Sequence, residues 1–450
     1  MSGWKTSVLC GVAAAFAVPA HAQLTIDGEL RARYESLDGQ FRRGFEGSDQ
    51  ALFTRALFKA EYDFGRISVG GEIQDSRAFL DDEGTPLSGS FVNTSDLLQA
   101  YVAFESGGLL GEGSTGRTTL GRQTISIGSK RQVERVSYAN VIRTFTGIYH
   151  RSENDRGDEL HMFAVVPVAR LTEGAEGARR NEFEADEEEW SRRFFGLHYR
   201  RADAVPSIAS DLTAELFAYG LFEEDGPDFE GPNRRYVYPG FRLSRPKRVG
   251  QWDIDLEPSA RFGSRRVSSA PGDERELDVF ATRVIAIAGY TFDLPWQPRL
   301  SAEWFWASGD EDPNDDSFER YERLFGSRRT DLNNTSLHGP LTYSNLNAPG
   351  ARLELKPNEV TDARIVWSAA SLASDTDAFQ IPRLQDPTGQ SGDFTGHTID
   401  TRFRYLPKNQ PIVYEAGASA FLFGEFTENA PGAPEGNRTL FGYIQATLTF

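Results

Sequence analysis

Eighteen segments of this chain alternate apolar and polar residues with a period of two, and no apolar stretch after residue 22 approaches the roughly 18 residues a membrane-spanning helix needs. The last twelve residues are the clearest case. Leu440, Gly442, Ile444, Ala446, Leu448 and Phe450 share one face, and Phe441, Tyr443, Gln445, Thr447 and Thr449 share the other. Leu24–Glu35 opens the series with Leu24, Ile26, Leu30 and Tyr34 on one side. Each segment is close to the roughly 9–11 residues with which a tilted strand crosses a bilayer. Charged residues make up 25% of the chain. A membrane protein tolerates this when apolar side chains face lipid and polar ones face inward, as in a barrel. The expected fold is all-β: a transmembrane antiparallel up-and-down β-barrel of about 18 strands.

The connections support this reading because they alternate in length. Gly65-Arg66, 245–251, 358–360 and 407–411 are short, whereas 36–51, 77–94, 167–190, 309–349 and 374–395 are long. Short turns at one rim and long loops at the other are the pattern of an even-stranded barrel with both ends of the chain on the periplasmic side. The segments 167–190 and 309–349 are therefore expected outside the cell. The acidic runs Glu182–Glu189 and Asp310–Asp316 fall in these loops, as a solvated outer face would have it. Asp310, Asp312 and Asn314 have the 1-3-5 spacing of a calcium loop. Asp315 stands where that loop requires glycine and Tyr321 where it requires glutamate, so no EF-hand forms and only a looser calcium site remains as a metal candidate.

Residues 1–22 read as a signal peptide. Lys5 is the single charge, Val8–Val18 is a short apolar core, and Ala20-His21-Ala22 is a cleavage site. Residues 23–450 are then one barrel domain. The only cysteine, Cys10, lies in the leader, so the exported chain forms no disulfide.

If the apolar faces meet lipid, alternation points Arg31, Arg33, Arg55, Arg200, Arg261, Arg283, Arg364, Arg402 and Arg404 into the barrel, together with carboxylates such as Asp27, Glu29, Glu257, Asp362 and Asp400. Two roles are open to each arginine. It can pair with a carboxylate across strands and brace a wide barrel, or stay unpaired at a constriction and hold an anion with its fork of N–H donors. The net charge of −18 argues against nucleic acid as a partner. The strand histidines His150, His161 and His198 are scattered singly, with no triad spacing, so the chain reads as neither an enzyme nor a cofactor protein.

Several stretches carry a more specific signal. They are Leu120-Gly121-Arg122-Gln123 followed by Gly128, Arg143-Thr144-Phe145-Thr146-Gly147, Gly289-Tyr290-Thr291-Phe292, Pro298-Arg299-Leu300, the run from Ser308 to Asp315, and the closing strand. In that order they resemble the alginate export family of outer-membrane barrels. The resemblance implies an 18-stranded monomer in the Gram-negative outer membrane, in contact with lipid and lipopolysaccharide. Its arginine-rich pore would pass an anionic polysaccharide, alginate, to the outside. The resemblance also carries Arg122, Arg143 and Arg299 onto family motifs and adds Arg122 to the pore-lining candidates. Thr146 departs from the family, which has Asp at that place. The competing function is a porin for uptake of small organic acids or sugars.

Overall fold

The computed structural model describes residues 23–450 except 173, 208, 210, 227, 228 and 333, and the expected leader lies outside the described residues. Eighteen strands form the wall. In chain order, β1 to β6 are Gln23–Asp38, Ser48–Asp63, Ile67–Phe79, Asn93–Gly107, Thr115–Gln123 and Phe145–Glu153. The next six, β7 to β12, are Glu159–Ala169, Arg192–Arg201, Thr213–Glu223, Arg235–Arg245, Trp252–Arg266 and Glu276–Thr291. The last six, β13 to β18, are Arg299–Ala307, Leu346–Asn358, Thr361–Ser371, Phe394–Tyr405, Ile412–Phe423 and Arg438–Thr449. Each pairs antiparallel with its sequence neighbours, and β18 closes on β1 from Glu29↔Thr449 to Asp38↔Leu440. Closure leaves no unpaired sheet edge, which is what a strand structure in lipid requires. Phe450 extends the seam: its amide donates to the Gly28 carbonyl at 3.1 Å, and the Gly28 amide donates to its carbonyl at 2.8 Å.

The period of two sorts the side chains as expected. Leu24, Ile26 and Leu30 of β1 are about half exposed on the outside, whereas Arg31 and Arg33 are buried on the inside. On β18, Leu440, Ile444 and Phe450 face out, and Phe441 and Tyr443 face in.

The interior departs from a water-filled bore. Of the nine long connections at one rim, 124–144 and 308–345 fold down into the barrel. Tyr321, Leu324, Phe325, Leu332, Leu337, Leu341 and Tyr343 of the second are all buried. They pack on inward aromatics of the wall: Phe325 lies 5.3 Å from Phe145 and 4.8 Å from Phe194, and Tyr321 lies 6.0 Å from Tyr238. The hydrophobic core of this protein is thus inside its barrel, between wall and loops. Residues 311–316 of the acidic run are solvent-exposed as expected, but the rest of the connection is not an outer loop: its large apolar side chains gain burial in the lumen that water would deny them.

Asp310 is buried and accepts the Glu319 amide, while Asp312 caps its own turn by accepting the amide and side chain of Asn314. No grouping of three His, Cys, Asp or Glu residues among the described residues is placed to hold a metal ion.

Candidate functional site

The two inward loops meet at mid-barrel. Phe325 donates its amide to the Gln132 carbonyl at 3.0 Å and Ser327 donates to the Lys130 carbonyl at 3.0 Å, so the loops add one short parallel β-bridge across the lumen. Gly326 sits where they touch. A Cβ there would lie 2.0 Å from the Arg131 carbonyl oxygen, so only glycine fits. Gly326→Ala is expected to part the two loops without unfolding the wall. Single-channel recordings should show a noisier, larger conductance, while the barrel remains fully folded by gel mobility. An unchanged current trace would mean that the contact does not constrict the pore.

Arg131 fastens this junction to the wall. Its buried guanidinium reaches Asp331 of the partner loop at 2.7 Å, and Asp255 and Glu257 of β11 at 2.9 and 3.0 Å. Burial alone would lower its pKa, and Asp331, Glu257 and Asp255 more than reverse that, which keeps it protonated. Asn334 ties the 308–345 loop to β17 through Ser419 Oγ at 2.9 Å.

Nine of the ten arginines expected in the pore do face inward, and the structure shows what they touch. Arg31 donates to the carbonyls of Ser137, Tyr138 and Ala139 and to Asn140, and so holds the 124–144 loop by its backbone. Arg33 pairs with Glu35 at 2.6 Å and donates to Tyr138 O and Ser336 Oγ, one on each loop. Arg55 pairs with Glu29 at 2.5 Å and donates to Ala139 O. The remaining ion pairs are Arg200 with Glu159, Arg261 with Glu322 and Arg283 with Glu257, at 3.0, 2.7 and 2.5 Å. Arg402 and Arg404 share Asp362 at 3.0 and 2.8 Å. Arg364 is buried, and its Nε and Nη2 have no hydrogen-bond partner among the described residues. The pairing follows from burial: a cation enclosed by protein is costly unless a carboxylate accompanies it.

Arg122 is a correction. Thr119 and Gln123 of β5 are buried on the inside, so alternation turns Arg122 outward. There it pairs with Glu188 at 2.8 Å and donates to Leu97 O at 2.9 Å. Glu188 belongs to the 170–191 loop and also accepts from Thr146 Oγ1 at 2.8 Å. This acid stands beside the residue where the family pattern has Asp.

Besides Arg31 and Arg364, the cations without a carboxylate partner gather elsewhere, in the loops. A cavity of about 430 Å³ at the loop end is lined by Arg42, Arg143, Arg170, Arg323, Arg328, Arg329 and Arg383, contributed by five different loops, and by no carboxylate. Only Arg329 has an ion-pair partner among the described residues, Glu415 at 2.6 Å. Nη1 of Arg143 is buried with no hydrogen-bond partner among the described residues, and its guanidinium carbon lies 5.2 Å over the Phe325 ring. A second cavity of about 520 Å³ shares Arg143, Arg170 and Arg323 and adds Arg192, Arg234 and Glu189. The electrostatics record the shortage of negative charge. Burial lowers the Arg143 pKa well below its ordinary value, and Arg170, Arg323 and Arg192 push it further down. Arg328 falls to about 9 through burial and then through Arg323 and Arg42, and Arg42 falls to about 10 chiefly through burial. Arg328 and Arg42 at these values remain cationic at neutral pH. Sequence reasoning reached Arg143 through a motif but missed the other six, because loop arginines have no alternation to reveal which way they point.

Comparison with known proteins adds the following. The profile of the alginate export family matches residues 22–441. No curated protein matches the chain. The Pseudomonas aeruginosa OccK2 (OpdF) structure in complex with glucuronate is similar at 13% identity, covering 94% of this chain and 98% of that one with a TM-score of 0.57. Pseudomonas aeruginosa OpdK with vanillate is similar at 12% identity, covering 94% and 98%, with a TM-score of 0.55. A BenF-like porin from Pseudomonas fluorescens Pf-5 is similar at 11% identity, covering 95% and 99%, with a TM-score of 0.59. At such identities these likenesses speak for the closed barrel alone.

Proposed function

The chain belongs to the alginate export family and is a channel of the Gram-negative outer membrane, and we propose that it is anion-selective and passes carboxylate-bearing saccharides, uronates and their oligomers. The observation that carries this reading is the arginine cavity above the loop contact, with seven guanidiniums and no acid in its lining. Buried unpaired cations destabilise a fold by several kcal/mol unless an anion joins them. A guanidinium offers a carboxylate two parallel N–H donors. A narrow, low-dielectric channel focuses such a field on the passing solute. The glucuronate and vanillate in the complexes of OccK2 and OpdK are both carboxylates, which supports the same chemistry here.

Solute size divides the reading in two. The cavities, about 430 and 520 Å³, are each in the range that encloses one small ligand, roughly 300–1,000 Å³. This favours small sugar acids, the uptake function. The family match favours alginate leaving the cell, for which the 124–144 and 308–345 loops must part to admit an extended chain. In a planar bilayer under a salt gradient, the reversal potential is expected to show chloride preferred over potassium, and millimolar glucuronate should reduce the current where glucose does not. A cation-preferring pore, or equal block by both sugars, would remove the proposal. Swelling of protein-loaded liposomes in uronates of increasing length then separates the two sizes: a cut-off at the monomer or dimer supports uptake of small acids, and passage of long chains supports export.

A further inference from the structure

On the other side of the loop contact lies a different environment. A vestibule of about 940 Å³ opens at the turn end, beneath Ser126 and Arg135 of the 124–144 loop. Six carboxylates line it, against four cations. Most of its charges are matched: Glu61 and Glu105 pair with Arg117 at 2.9 and 2.7 Å, Glu72 with Arg135 at 2.5 Å, and Glu153 with Arg151 at 2.8 Å. Asp27 is exposed and has no ion-pair partner among the described residues. The lumen therefore carries a step in charge. The loop-side cavity has arginines as its only charged lining, with Glu189 the one acid of the second cavity beside it, whereas the turn-side vestibule keeps a small acidic surplus; the 124–144 loop lines both and lies between them.

From this step, and resting on the anion-selective reading above, we infer that the channel rectifies: it conducts better when the loop side is at the negative potential. Anions crowd the arginine cavity from the loop-side solution, because fixed cations concentrate counter-ions in a narrow bore. A negative loop side drives them across the contact into the vestibule, while cations enter the vestibule from the other bath. Both ions accumulate at the junction and the current is high. With the voltage reversed, anions leave the cavity toward the loop-side bath. The acidic vestibule resupplies few, so the junction depletes. The Debye length is about 8 Å at physiological salt and shortens as salt is added, so raised salt should screen the fixed charges and weaken the effect. The net direction of a solute is still set by its concentration gradient; the asymmetry lies in the conductance.

The test is the current–voltage curve of single pores of known orientation. Residues 23–450 contain no cysteine, so Glu112→Cys at the exposed 108–114 turn can be biotinylated and capped by streptavidin from the turn side alone. At 100 mM KCl the current at −100 mV on the loop side is expected to exceed that at +100 mV by at least 1.5-fold, and the ratio should approach one in 1 M KCl (about 3 Å Debye length). Asp27→Lys combined with Glu153→Lys makes the vestibule cationic. It should raise chloride preference while abolishing rectification, two changes of opposite sense that a merely loosened barrel would not produce. Asp27→Asn with Glu153→Gln is the milder variant, with a partial loss of the ratio. An anion-selective pore with a straight or oppositely bent curve would overturn this inference and leave the proposed function standing. A cation-selective pore would overturn both.

Discussion

Arg131→Ala is expected to open the constriction and to cost more stability than any other single change in the lumen. The substitution removes one buried guanidinium that serves three carboxylates, Asp331, Asp255 and Glu257. Asp255 keeps Arg242 at 2.7 Å and Glu257 keeps Arg283 at 2.5 Å. Among the described residues the Asp331 carboxylate keeps only the Tyr343 hydroxyl and is left a buried charge without a cation. Breaking a buried pair in this way costs about 3–5 kcal/mol. The wall does not depend on this residue, because its eighteen strands are closed by backbone pairing. The loss should fall on the loop contact: the folded band in unboiled gels stays, while unitary conductance rises and flickers. Adding Asp331→Asn should recover part of the closed behaviour, since it removes the stranded charge. Arg131→Lys should recover less than wild type, since an ammonium cannot serve three acids with a planar fork. A normal conductance in Arg131→Ala would show that the aromatic packing of Phe325 and Tyr321 holds the loops by itself.

How far the sequence announced all this depends on which physical signal each part leaves. The strands were legible because an embedded barrel forces alternation on every crossing, and eighteen were expected and eighteen are present. Inward orientation of Arg31, Arg261 or Arg402 came from the same parity. Parity says nothing about partners. Whether Arg283 is free depends on Glu257, a strand away in space and 26 residues away in sequence. Motif resemblance carried even less about role. Arg299 is locked between Asp253 and Glu354 at 2.6 and 2.7 Å, Arg122 lies on the outer face, and only Arg143 of the three reaches the arginine cavity.

The inward fold of 308–345 left a readable trace that alternation did not capture. Acidic residues crowd its first part, Asp310–Asp316, whereas Arg320, Arg323, Arg328 and Arg329 follow among Tyr321, Leu324, Phe325 and Leu332. A solvated loop has no reason to segregate charge and large apolar side chains in this way. One stretch at the rim and the next inside an arginine-lined lumen does. The 124–144 loop hid for another reason. The run to Ile127 continues the alternation of β5, but β5 ends at Gln123. Gly128 takes a φ of +54°, and a Cβ there would strike the His198 ring at 2.6 Å, so the chain turns inward at a place only glycine allows.

The second large effect concerns selectivity. Arg143→Ala combined with Arg323→Ala is expected to bring chloride-over-potassium preference close to unity and to weaken glucuronate block by one to two orders of magnitude. Both residues line both cavities, and neither has an ion-pair partner among the described residues. A hydrogen bond to a charged group is worth about 1.5–3 kcal/mol. At about 1.4 kcal/mol per decade, the loss of one such contact gives that range. The matched comparison is Arg402→Ala with Arg404→Ala. Those side chains share Asp362, so their field is already partly cancelled and the shift in reversal potential should be clearly smaller. Stability supplies an independent check of sign. Arg143 is held below its ordinary pKa by burial and by neighbouring arginines, so its charge opposes folding in the empty channel. Removing it should leave thermal unfolding unchanged or raise the midpoint, whereas a residue kept to brace the loops would lower it. If Arg143→Ala with Arg323→Ala unfolds earlier and keeps its anion preference, these arginines are structural and the selectivity resides in the wall.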